Sequence, residues 1–263
     1  MAKTIPPAVK APASTAVIVA DDVFSAQSGS GLENVTSSDI LIPRLTILQA
    51  LSPQINSKKP EHIDGAKIGD ICDVGTGELF EQPLIFLPVH YVKQWLEWAP
   101  RSTGKGLVKI HETPDIIDSC TKDEKNRPTT KDGNLIAETA QFFGLNLSAG
   151  GRRCFLPMAS TQLKKSRRWL TLATSEKLAR PDGTFFTPPL FYRTYNLTTV
   201  DESNAEGDWS GWKIERHVPL QEFAPEWKEY YADAISFRDS IKKGEVRGDV
   251  SADEHVVEGE AAM

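Results

Sequence analysis

The sequence predicts a mainly β protein with a few added helices, in the α+β class. Two observations predict it. Short apolar or alternating segments recur between residues 67 and 216, and turns containing glycine separate them. Strands do not alternate with long helices as βαβ units require, so a barrel or sandwich is favoured. The predicted strands are residues 84–89, 91–98, 107–110, 141–148, 153–157, 170–174, 190–199 and 209–216.

The remaining elements follow from composition and periodicity. Residues 1–35 are rich in Ala, Pro, Ser and Gly, which predicts a disordered arm. An N-terminal helix is predicted at 44–51, after the polar cluster 36–39 and Pro43. A short inserted helix is predicted at 159–169. We therefore expect a β-barrel domain at 36–219, a C-terminal helix within 220–244 and a disordered acidic tail at 245–263.

The C-terminal helix has the clearest helical pattern. An apolar stripe at spacings of four, three and four residues runs along 223–243, and Gly244 is expected to end the helix. The stripe consists of Tyr230, Ala234, Phe237 and Ile241. So narrow a stripe packs equally well on the chain's own barrel or on a second subunit, which leaves a homo-oligomer open.

Several classes of function are excluded or disfavoured by the sequence. No apolar run approaches the roughly 20 residues that a membrane span requires, and no secretory signal is seen. Three widely spaced cysteines favour a reducing, cytoplasmic compartment. No P-loop, dinucleotide-binding fingerprint, zinc-ligand spacing or nucleophile elbow occurs. We therefore expect no enzyme activity, no catalytic residues, no cofactor and no metal.

The charge distribution is strongly asymmetric. The net charge is −6, yet residues 151–180 contain eight basic groups and one acidic group. Residues 248–263 contain five acidic groups and no Lys or Arg: Asp249, Asp253, Glu254, Glu258 and Glu260. A solvated basic face with a solubilising tail explains this pattern, and so does a nucleic-acid interface with a partner-binding or autoregulatory tail.

Basic and aromatic residues are interleaved along the predicted strands and the inserted helix. Cations neutralise phosphates, and exposed rings stack on unpaired bases, so the pattern favours single-stranded nucleic acid. Rings that fill the barrel core are the alternative, and Trp169 is the best candidate for an exposed ring. The predicted binding residues are Lys93, Trp95, Trp98, Arg101, Lys105, Arg152, Arg153, Lys164, Lys165, Arg167, Arg168, Trp169, Phe191, Arg193 and Tyr195.

Three segments resemble early proteins of tailed bacteriophages that bind single-stranded DNA. They are LIPRLTILQALSP at 41–53, STQLKKSR at 160–167, and residues 198–212. The resemblance implies an OB-like β-barrel core, a role in DNA replication and recombination in the host cytoplasm, and protein partners for the acidic tail. It does not distinguish DNA from RNA. The chain departs from such proteins at its end, because Glu260 is followed by Ala-Ala-Met rather than by an aromatic residue.

Two other functions remain as alternatives. A metal-dependent nuclease or other DNA-processing enzyme would use carboxylates of the segment 112–133, namely Asp115, Asp118, Asp123 and Glu124. A structural or host-interacting phage protein would use the acidic tail as its interaction element. The first predicts cleavage that depends on divalent ions, and the second predicts no affinity for DNA at physiological salt.

Overall fold

A computed structural model describes residues 26–27, 29–35, 41–205 and 207–250, with the side chain of Arg101 excepted. The strands are β1 (Leu45–Ile47), β2 (Ile71–Asp73), β3 (Glu78–Phe80), β4 (Leu84–Trp98), β5 (Leu107–His111), β6 (Thr121–Lys122), β7 (Pro128–Thr129), β8 (Leu135–Asn146), β9 (Arg152–Ala159), β10 (Leu178–Ala179), β11 (Phe185–Phe186), β12 (Arg193–Asn204) and β13 (Gly207–Pro219). The helices are α1 (Leu163–Thr174), α2 (Leu220–Phe223) and α3 (Trp227–Lys242). None of the described helices is long and apolar enough to cross a membrane.

The main sheet is antiparallel and is organised around the long strands β4 and β8. These two strands pair along almost their whole length, with β9 on the far side of β8. The other side of β4 pairs with β12 at residues 84–86 and with β5 at residues 95–98, and β13 pairs with the far side of β12. The small strands β6 and β7 continue from the start of β8.

A bulge bends β4 between Pro88 and His90. Gly144 pairs with Pro88 there, and a Cβ on it would lie 2.4 Å from the Leu87 carbonyl oxygen and 2.4 Å from the Phe86 ring. Only glycine permits this close approach, so the sheet curls at this position. The result is an open half-barrel, and the predicted mainly β, OB-like core with added helices is confirmed.

The N-terminal segment spans the open side of the half-barrel. The Phe155 amide of β9 donates to the Pro43 carbonyl, and Arg44 forms a parallel bridge with Phe155. Six residues later, the Gln49 side chain bonds the amide and the carbonyl of Ser210 on β13. The predicted helix at 44–51 is therefore wrong. Antiparallel pairing with β2 and the bridge to β9 hold these residues in an extended conformation, and this tertiary pairing outweighs local helix propensity.

Both faces of the sheet are covered by apolar cores. On the concave face, α1 and the β1–β3 sheet pack against Phe86, Phe142 and Tyr195. On the convex face, α3 packs through Phe237 and Ile241. The predicted C-terminal helix and its stripe are confirmed, and the helix packs on the chain's own sheet.

Two further boundaries differ from the prediction. The inserted helix continues through 170–174, where a strand was predicted, and its partly buried Leu170 packs against the concave core. At the C-terminus, Val246 and Val250 are buried on the convex face and Gly248 lies against the Phe155 ring. Residues 245–250 thus form a packed C-terminal strap, which differs from a disordered tail starting at 245. Most of the predicted N-terminal arm and residues 251–263 lie outside the described residues.

Candidate nucleic-acid interface

The aromatic residues predicted to stack on bases are buried. Trp98, Trp169, Phe191 and Tyr195 belong to the apolar cores, and Trp95 is only 9% exposed. The prediction that Trp169 is an exposed ring is therefore wrong. Alternating side chains along a strand indicate a solvent-exposed face only when one face of the sheet is open to water. Here helices cover both faces.

The two arginines of β9 are bound to acidic side chains of the fold. Arg152 donates to Glu78 at 2.5 Å and lies 3.6 Å from the buried carboxylate of Asp73. These contacts raise the pKa of Arg152, chiefly through the bond to Glu78. Arg153 forms an ion pair with Asp233 of α3. Both arginines attach neighbouring elements to β9 and are already occupied.

Two more predicted cations have partners inside the protein. Lys165 lies 2.6 Å from Glu202 of β12, and Arg193 holds Glu176 through two guanidinium nitrogens while donating to the His217 carbonyl. The bond to Arg193 holds the pKa of the Glu176 carboxyl below its ordinary value of 4.5, against the opposing effect of burial. Both cations therefore serve in ion pairs within the protein and are not counted as nucleic-acid contacts.

Three other predicted cations share one exposed stripe of α1. Lys164, Arg167 and Arg168 follow helical spacing and face solvent, whereas Ser166 and Trp169 on the opposite side are buried. We call Lys164, Arg167 and Arg168 the helix stripe. It is the largest group of the predicted residues that the fold brings together on one surface.

The electrostatics of the helix stripe oppose folding. Like charges three and four positions apart repel, and the first turn of α1 contains no acidic residue to match the positive end of the helix dipole. Arg167 is 67% exposed and reaches Glu138 only at 3.5 Å, while Lys93 contacts the same carboxylate at 2.9 Å. Among the described residues, Lys164 and Arg168 have no acidic partner. The stripe is therefore open to an external anion.

The short hairpin of β10 and β11 follows α1 directly and contributes further cations. Lys177 bonds Thr187 across the hairpin, and Arg180 stacks on the Phe186 ring at 4.7 Å. The neighbouring ring of Phe185 is 69% exposed. The sequence analysis used the Asp-Gly turn of this hairpin only as a boundary between strands. It therefore did not identify Phe185 as an exposed ring.

The last predicted binding residues lie elsewhere. Lys105 is exposed in the loop after β4, at the opposite end of that strand from its pairing with β12. The side chain of Arg101 lies outside what the structure describes. Lys93 borders the helix stripe through Glu138 and also covers the Trp95 ring at 5.4 Å.

The acidic tail begins beside a basic residue. Burial lowers the pKa of the Arg44 guanidinium, and the nearby Asp249 carboxylate opposes that shift. The other four predicted tail acids, Asp253, Glu254, Glu258 and Glu260, lie outside the described residues.

The carboxylates considered for a nuclease are spread along the segment 112–133. Asp115 and Asp118 lie in a short 3-10 helix, and Asp123 binds the side chain and amide of Arg127. Over the described part of the chain, no three His, Cys, Asp or Glu residues form a group able to hold a metal ion.

Comparison with known proteins identifies a bacteriophage protein. The sequence pattern of the family described as Pam3 phage gp34-like protein matches residues 13–247, which is most of the chain. The chain belongs to this family, and the predicted phage origin is confirmed. No curated protein and no solved structure matches it.

Proposed function

We propose that this phage protein binds single-stranded DNA without sequence preference, as a non-enzymatic factor in phage replication or recombination. The observation that carries the proposal is the helix stripe. Its three cations destabilise α1 in the free protein, and phosphate oxygens would relieve that repulsion. Side chains that reach phosphates read no base sequence, which fits binding without sequence preference.

The buried rings change the expected mode of binding. Because the predicted stacking residues belong to the core, the helix stripe contributes through phosphate contacts and counterion release. Lys93, which shares Glu138 with Arg167, borders this surface, and Lys177 lies on the hairpin that follows α1. In this proposal the ion-paired cations do not contact DNA, namely Arg152, Arg153, Lys165 and Arg193.

The acidic tail completes the proposal as a regulatory and partner-binding element. Asp253, Glu254, Glu258 and Glu260 follow the C-terminal strap without an intervening Lys or Arg. In the absence of DNA such a segment competes for the helix stripe, and when DNA displaces it, it becomes available to replication or recombination proteins of the infected host cell.

The experiment is a fluorescence-anisotropy titration of a labelled oligothymidine at several salt concentrations. The triple variant Lys164→Ala, Arg167→Ala, Arg168→Ala is compared with Lys58→Ala, Lys59→Ala, Lys131→Ala, which has the same net charge. Each phosphate contact contributes about 0.7 to the slope of log K against log salt for single strands, so the stripe variant loses about two from that slope. The control variant keeps the wild-type slope.

Three results would contradict this proposal. Absence of wild-type binding at 50 mM salt would remove the function and leave the tail as a protein-binding element. Equal losses in both triple variants would mean that overall charge, and not the stripe, governs binding. Shortening of the oligonucleotide only when magnesium is present would indicate a nuclease.

A further inference from the structure

We further propose that Phe185 is a nucleobase-stacking residue, exposed on the hairpin that follows α1 and its helix stripe in the chain. This inference rests on the proposed function and deepens it. It assigns an unpaired base of the nucleic acid to a residue that the sequence analysis did not predict as a binding residue.

The register of the hairpin separates its two faces. Phe185 pairs with Ala179 and Phe186 with Leu178, so the two phenylalanine rings point to opposite sides. The ring of Phe186 is half-buried, and that of Phe185 is 69% exposed. The bond from Lys177 to Thr187 places that lysine on the same face as Phe185. A ring and a cation therefore stand as diagonal neighbours on the outward face.

The hairpin is ordered by several hydrogen bonds, although only two positions of each strand are paired. Its turn is fixed by Asp182, which accepts from the amide and hydroxyl of Thr184 at 2.9 and 2.6 Å, and by Gly183 with φ 82°. The Arg180 amide donates to the Thr184 carbonyl at 2.7 Å, while the Arg180 guanidinium covers Phe186. These contacts order a short ribbon that would otherwise be marginal.

The exposure of Phe185 gains nothing for the fold. Burying such a ring would stabilise the fold, and here that stabilisation is forgone on an ordered ribbon. The charge near the ring indicates which class of ligand would bind there. Lys177 is cationic and lies on the same face as the ring, and the helix stripe belongs to α1, which ends at Thr174, three residues before Lys177. A planar apolar group attached to a polyanion fits this surface, which is the chemistry of an unpaired nucleobase.

Stacking at Phe185 would give the protein its preference for single strands. The helix stripe alone binds the phosphates of single and double strands, since both offer the same anions. An unpaired base presents a free face to the ring, whereas a paired base is stacked within the duplex. Phe185 thus supplies the selectivity that phosphate contacts lack.

The experiment compares oligothymidine with an abasic oligonucleotide of the same length, both titrated at low salt. Phe185→Ala is expected to weaken oligothymidine binding about tenfold and leave abasic binding unchanged, because a stacked base contributes roughly that factor. Phe185→Trp is expected to restore oligothymidine binding. Ile68→Ala, at an apolar side chain that is also exposed but lies before β2, is the matched control and should change neither affinity.

The outcomes separate this inference from the proposed function. If wild-type protein binds both oligonucleotides equally and Phe185→Ala alters neither, the protein binds nucleic acid but the stacking inference is wrong. If Phe185→Ala weakens both oligonucleotides to the same extent, the ring does not contact a base. If neither oligonucleotide binds wild-type protein, the proposed function fails and the inference fails with it.

Discussion

The indole of Trp169 lies almost parallel to the ring of Phe142, with centroids 4.0 Å apart and an angle of 19° between the planes. Phe86 and Tyr195 meet the same indole edge-on at 5.8 and 5.4 Å. This cluster attaches α1 to the concave face of the sheet. The same helix can therefore direct its opposite side, with the helix stripe, outward.

Replacing Trp169 should lower the free energy of unfolding, because its side chain belongs to the core and not to the surface. Trp169→Ala removes a fully buried indole, and such changes cost about 3–5 kcal/mol. Urea denaturation followed by circular dichroism measures the loss. Phe185→Ala is the control, since truncation of an exposed ring should cost less than about 0.5 kcal/mol. Similar midpoints for the two variants would contradict the burial of Trp169.

The pair of Arg193 and Glu176 should make stability depend on acid pH. The pKa of the Glu176 carboxyl is lower in the folded state than its ordinary value of 4.5, so the unfolded state binds the proton more readily. The contribution to stability is complete above pH 4.5 and is lost as the pH falls through the folded value.

Unfolding free energies of wild type and Glu176→Gln, measured as a function of pH, check this expectation. The difference between them should be largest above pH 4.5 and shrink on acidification. Glu215→Gln, at an exposed carboxylate paired with Lys213, is the control and should stay close to wild type. A difference that is constant with pH would refute the linkage.

Truncations at two points should separate the C-terminal strap from the acidic tail. Deletion of residues 245–263 removes the buried side chains of Val246 and Val250, each contributing about 1.5–3 kcal/mol by burial. Deletion of residues 251–263 leaves both valines in place and should retain the wild-type unfolding midpoint. Thermal and urea denaturation of the two truncations tests this difference.

The shorter truncation also tests the regulatory role of the tail. Removing four acidic groups that compete for the helix stripe should tighten oligothymidine binding at low salt and have a smaller effect at high salt. Anisotropy titrations of wild type and the 251–263 deletion provide the comparison. Unchanged affinity at low salt would rule out competition by the tail.

The three thiols should differ in reactivity. Burial raises the pKa of Cys72 to about 12 and raises that of Cys154 as well, so both remain protonated and inaccessible. Cys120 is half-buried, and its pKa is raised mainly by burial. Ellman's reagent should therefore modify one thiol slowly in the native protein and all three after denaturation. Cys120→Ser should abolish the native reaction, and several thiols reacting at equal rates would contradict this order.

The sequence by itself determined the long strands of the main sheet, the C-terminal helix and the location of the basic cluster. Alternation and turn residues marked β4, β5, β9, β12, β13 and the second half of β8, because these patterns are properties of neighbouring residues. The stripe of α3 was equally local, and Gly244 ends that helix with φ 76°.

The tertiary structure alone decided which of these residues face solvent. Arg152 and Arg153 meet acidic partners 74 and 80 positions away, and Lys165 meets one 37 positions away. Helix α3, which packs over β4 and β8, is also distant in sequence from those strands. The exposure and ion pairing of these side chains depend on contacts between distant parts of the chain. Local sequence periodicity does not predict such contacts. The fold thus reduced a long list of candidate cations to the helix stripe and left Phe185 exposed on the hairpin that follows α1.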